Sequence, residues 1–161
     1  MPLPSAPNTM AVAEAIAGYM SALTYGNSTP VYKLVQVGEI KNVSNQVVNG
    51  AACLEIYGGS DDSQPLAFGG PRQDAQSFYL LSMVSLDDAQ SAEALIFAVR
   101  DALVVPLSTH IRLGDTSGVI FLSGFKPNSG KFLDVPRNGQ YLRAHIIELL
   151  VSSQWQVTLE S

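Results

Sequence analysis

The sequence predicts an α+β fold: one mainly antiparallel sheet of five to six strands flanked by two helices, closed by a C-terminal β-meander. Three observations carry this expectation. Ser85–Thr109, SLDDAQSAEALIFAVRDALVVPLST, has the period of a long amphipathic helix, regular over about residues 88–105. Strand-like segments precede and follow it, giving the order helix, three strands, helix, three strands, with no internal repeat. In the segment Gln76–Leu86, Phe78, Leu80 and Val84 point one way and Tyr79, Leu81 and Met83 the other, so both faces are apolar and both need cover.

At 161 residues the chain fits a single α+β domain, residues 1–161, large enough for one hydrophobic core. Pro2, Pro4 and Pro7 hold residues 1–8 as an extended tail. Asn8 or Thr9 then caps a first helix running to about Thr24, with Val12, Ile16, Tyr19, Met20 and Leu23 on one face. Glu14 is its one charged residue, so its outer side is a candidate for partial cover. Val31–Val43, rich in β-branched and aromatic residues, reads as one strand bulged at Gly38, and Ala51–Tyr57 as a second.

Residues 58–75, GGSDDSQPLAFGGPRQDA, read as a long loop, because four glycines and two prolines exclude a stable helix. Within it Leu66, Ala67 and Phe68 form an apolar island. Three arrangements accommodate them: folding back onto the core, a short strand of a hairpin, or insertion into a neighbouring subunit. Asp87 is a plausible N-cap for the central helix with Gln90 at the third helical position, and Ala92, Leu95, Ile96, Val99 and Leu103 form its buried stripe. Pro106 should end the regular helix near Val104 or Val105 unless it kinks. Beyond it, Gly118–Phe125, Lys131–Val135 and a long strand from Tyr141 make the meander, with KPNSG read as a hairpin turn between the first two.

Composition narrows the function. Hydrophobic residues make 47% of the chain and charged ones 14%, against about 25% in typical soluble proteins. That favours a surface partly covered by other subunits. The net charge of −5 and the absence of a basic stripe argue against direct nucleic-acid recognition. No run approaches the roughly 18 apolar residues of a membrane span, and MPLPSAPNTM lacks a secretory pattern, so a cytosolic protein without membrane association is expected.

No catalytic, cofactor or metal signature survives inspection, and the expectation is a protein that is not an enzyme. Cys53 is the one cysteine and lies in an apolar strand, reading as a buried, inert thiol. GFKPNSGK, residues 124–131, misses the phosphate-loop spacing and has Phe132 where a hydroxyl would be needed. His110 and His145 are too far apart in sequence for a metal motif and read as structural. Asp61-Asp62 lacks the further ligands of a calcium loop. Asp61, Asp62, Arg72 and Asp74 suit pairing across a subunit contact instead. The candidate interface set is Asp61, Asp62, Leu66, Phe68, Arg72 and, on the exposed side of the central helix, Arg100.

The N-terminal helix, the strand leading into LEIYGGSDD, the glycine-rich FGGPRQ, the strand FYLLSMVSL, the helix SAEALIFAVRDAL and the meander ending RAHIIELLV together resemble the tail terminator or tail completion proteins of long-tailed bacteriophages. The resemblance spans about Val12 to Val157; the family is defined by fold and pattern, without an invariant catalytic motif. It implies a homo-oligomeric ring, usually a hexamer, at the head-proximal end of the tail tube in the virion, assembled in the host cytoplasm. Its partners would be the tail tube protein on one side and the head completion or connector protein on the other. The Gly58–Ala75 segment and the outward side of the first helix would supply contacts. Another ring component, a head completion or tail tube protein, is the nearest competing reading; a small ligand-binding domain or enzyme using His110 or His145 is the more distant one.

Overall fold

The computed structural model describes residues 8–65, 71–109 and 120–156. Helix α1 (Thr9–Ser21) is followed by strand β1 (Leu34–Val37), a short helix α2 (Val43–Gln46) and a 3₁₀ turn at Val48–Gly50. Strands β2 (Ala52–Pro65) and β3 (Pro71–Ser85), helix α3 (Ala89–Thr109), and strands β4 (Ile120–Phe125), β5 (Lys131–Arg137) and β6 (Gln140–Gln156) complete the order. Among the described residues the six strands form one sheet, ordered β1-β2-β3-β6, with β4 and β5 both on the outer edge of β6. All pairings are antiparallel except β1 with β2. The fold is therefore the expected α+β sheet with a C-terminal meander.

The alternation in β3 sorts the interior into two cores, one per face. Phe78, Leu80 and Val84 join Leu54, Ile56, Ile147 and Leu149 beneath α1 and α3, which contribute Val12, Ile16 and Met20, and Ile96, Val99, Leu103 and Leu107. Leu81 and Met83 join Cys53, Leu142 and Ala144 on the opposite face, beneath Ile40, Val43 and Val47. Burying a full aliphatic side chain contributes about 1.5–3 kcal/mol, so the larger two-helix core carries most of the apolar stabilisation. Asn8 caps α1 by accepting from the Ala11 N–H at 3.1 Å.

Several expectations are corrected. The Val31–Val43 strand is only four residues long, because Gly38 takes φ of 89° and the Ile40 N–H turns to the buried Glu55 carboxylate at 2.7 Å. The chain then crosses the second face through α2 before returning as β2, a path that a parallel β1–β2 pair requires. The 58–75 loop is instead largely strand. Gly58–Pro65 and Pro71–Ala75 extend the β2–β3 hairpin, and β6 runs far enough, to Gln156, to pair with Pro71–Ala75 as well. Backbone pairing on both sides of β3 outweighs the weak strand propensity of these residues. The apolar island Leu66, Ala67 and Phe68, with its three candidate arrangements, lies outside the described residues.

A bulge between Gly58 and Asp61 bends this arm. A Cβ at Gly59 would collide with the Ser77 hydroxyl, so any side chain there must displace it. The α3 cap is Asp88, one residue later than expected: its carboxylate accepts from the Gln90 N–H at 3.1 Å and the Ser91 hydroxyl at 2.8 Å. The helix also passes Pro106 to end at Thr109; proline there forgoes a single backbone bond, the one an N–H at that position would have donated to the Ala102 carbonyl one turn back. Finally, KPNSG is not a hairpin turn. Phe125 lies opposite Leu149 and Lys131 opposite Ile146 on the same edge of β6. Residues 126–130 are thus an excursion between two collinear strands. The true hairpin follows at Asn138-Gly139, both at positive φ, joining β5 to β6.

Candidate functional site

The sheet presents two distinct surfaces with polar chemistry. On the second face Glu55 of β2 is fully buried, and its carboxylate accepts from the Ile40 N–H, from the Tyr57 hydroxyl at 2.8 Å and from Arg137 Nη2 at 2.9 Å. Burial, then the hydrogen bond donated to Glu55, pushes the Tyr57 hydroxyl up to about 12. Three donors on one carboxylate make a closed structural clamp. It ties the crossover, β2 and the β5–β6 turn together, with the carboxylate itself out of reach of solvent.

The second surface is an open groove of about 400 Å³ on the helical side, at the edge of the sheet. Its walls are Arg100 and Val104 of α3, Phe132 of β5 and the 126–130 excursion, with His145 and Ile147 of β6 at its base. Register explains the grouping: Phe132 pairs with His145, and both project toward α3. Their rings lie 4.9 Å apart, and Phe97 of α3 meets Phe132 edge-on at 5.2 Å. Gly130 passes so close that a Cβ there would sit 3.4 Å from His145 Nε2. His145 is buried, its Nδ1 has no hydrogen-bond partner among the described residues, and burial followed by the Arg100 charge lowers its pKa to about 4. It is neutral at pH 7, leaving Arg100 and Lys126 as the groove's cations.

Neither cation is held in a deep pair. Arg100 meets the neighbouring Asp101 at 3.0 Å with both side chains largely exposed. Lys126 Nζ lies 3.3 Å from the buried Glu148, yet its own side chain is 55% exposed. The Ser77 hydroxyl, and then Lys126 working against burial, hold Glu148 below its ordinary carboxylate range. No protein-family model matches the chain, and no curated protein matches it.

The candidate interface residues divide accordingly. Arg100 stands on the groove wall. Asp61 is exposed on β2 opposite Gln76, with Asp62 next along the strand opposite Ala75, and Arg72 lies opposite Pro65 on β3 and Trp155 on β6. Leu66 and Phe68 fall outside the described residues, as does His110. Asp74, read as an interface charge, is instead buried and accepts from Trp155 Nε1 at 3.2 Å. Glu93 faces inward enough to bind Arg143, which also reaches Asp134 at 3.1 Å.

Sequence reasoning missed the groove because its walls come from four separate segments, and it missed the Glu55 clamp because its donors lie 15 and 82 residues away. The one available signal was a charged residue, Glu55, inside an otherwise apolar strand. Among the described residues no three potential metal ligands cluster, and no helix is long and apolar enough to cross a membrane. A depression at the start of α3, lined by Asp87, Asp88 and Ser91, is occupied by the helix's own cap.

Proposed function

We propose that this chain is a structural virion protein of the tail terminator kind, forming a ring that caps the phage tail tube, ends its polymerisation and offers a surface to the head. One observation carries the reading: the sheet is covered unequally. Two helices close one face, whereas α2 and its flanking turns close only part of the other, leaving Tyr57, Leu133 and Ile146 half-buried and Tyr79 37% exposed. A charge-poor chain with such a face gains by burying it against further copies. The sequence order that resembles the terminator family supports the same reading, and so does the long β2–β3 arm as a lever for reaching a neighbour.

A terminator acts by interface complementarity rather than chemistry. One face of its ring docks on the last layer of the tube and the other does not repeat that docking surface, so growth stops. Ring closure needs a head-to-tail contact whose rotation closes. The histidine groove is open and places His145 beside Arg100 and Phe132, an arrangement suited to contact more than to proton transfer. Negative-stain microscopy of the purified chain tests the proposal: isolated rings are expected. Long tubes would assign it to the tube protein, and dispersed monomers would contradict any self-assembling ring.

A further inference from the structure

We propose that Asp61 on the arm of one copy docks in the groove between α3 and the 126–130 excursion of the next copy. This rests on the ring reading and specifies the contact that would build it. Among the described residues lining the groove are two cations, Arg100 and Lys126, and no carboxylate; their partners Asp101 and Glu148 lie outside the lining. In a chain with only nine lysines and arginines and a net charge of −5, such a lining is unusually basic. Its rim is apolar, with Phe97 48% and Phe132 40% exposed. Phenylalanine and arginine are both enriched at protein–protein interfaces relative to the rest of the surface.

Both cations have capacity to spare. The exposed Arg100–Asp101 pair is worth little in water, and a guanidinium has five donors. Lys126 keeps its exposed side for a second carboxylate. On the other partner, Asp61 is exposed and forms no ion pair among the described residues. It follows Gly58, Gly59 and Ser60, all exposed and without bulk, so that the backbone can approach a narrow cleft.

The two surfaces cannot meet within one copy. Asp61 lies opposite Gln76, which lies opposite Val151 on β6, six residues along the strand from His145 and two strands across. At about 3.3 Å per residue and 4.8 Å per strand that is roughly 20 Å. Arm and groove are thus different patches on one subunit, as a head-to-tail contact requires.

The test is charge reversal in the full chain, read by mass photometry. Arg100→Glu alone and Asp61→Lys alone should each weaken ring formation by about tenfold or more. An equimolar mixture of these two variants should recover rings, because every contact then pairs a reversed groove with a reversed arm or a native groove with a native arm. Arg100→Ser, a milder change at an exposed position, should give an intermediate loss and guards against misfolding of the glutamate variant. If wild-type rings form and both reversals leave them intact, or if the mixture stays dissociated, the docking is wrong while the ring reading stands. Absence of wild-type rings would overturn both.

Discussion

The two faces of the sheet are stabilised in different ways. The helical face is sealed by α1 and α3, whose apolar stripes lie over Leu54, Leu80 and Leu149. The opposite face has a smaller core under a short crossover, fastened by the buried Glu55 with Arg137, Tyr57 and the Ile40 N–H. Periodic apolar burial tolerates local rearrangement, because its energy is spread over many contacts. A single buried carboxylate does not, since removing one partner leaves an uncompensated charge. The second face is consequently both the less covered and the more sharply specified.

Substitutions can break this contrast in order of size. Arg137→Ala, which strands the buried Glu55, should cost about 3–5 kcal/mol in urea unfolding. It should also loosen the crossover specifically, seen as faster amide exchange at Ile40. Equal destabilisation with unchanged exchange there would show that the clamp does not hold the crossover. On the helical face, Ile96→Ala should cost about 2–5 kcal/mol with no local signature, because its contacts are dispersed. Removing the α1 cap by Asn8→Ala should cost about 1 kcal/mol.

The smallest effect concerns pH. His145 has a folded pKa of about 4 against an ordinary 6.5, so as pH falls from 6.5 the unfolded chain takes up a proton that the folded chain refuses. Stability from this group is complete above pH 6.5 and declines toward pH 4, where the folded state protonates too. Glu148, held low in the fold, loses stability in the same direction at more acidic pH. His145→Phe should flatten the fall of melting temperature between pH 6.5 and 4; an unchanged slope would show that the imidazole is not buried neutral.

Much of the helical face was legible in sequence, because its signals are local. The stripe Ala92, Ile96, Val99 and Leu103 has helical spacing, and β3 announces two cores by alternating apolar residues on both sides. What was hidden depends on partners distant in the chain. Glycine-rich residues 58–65 become strand only because β3 and β6 are long enough to pair there, and β4 and β5 fall in line only because β6 spans seventeen residues. The premature end of β1 is set by a side chain fifteen residues on. Of the candidate contact residues, Arg100 and Asp61 lie on exposed surfaces, while Asp74 was misjudged because Trp155, 81 residues away, supplies its donor.

Assembly through the half-covered face and the groove is tested most directly by mass photometry of the purified full chain across a tenfold range of concentration. One discrete closed species, growing in population but not in mass, is the expected result. A continuous ladder of masses or an unchanging monomer would contradict it.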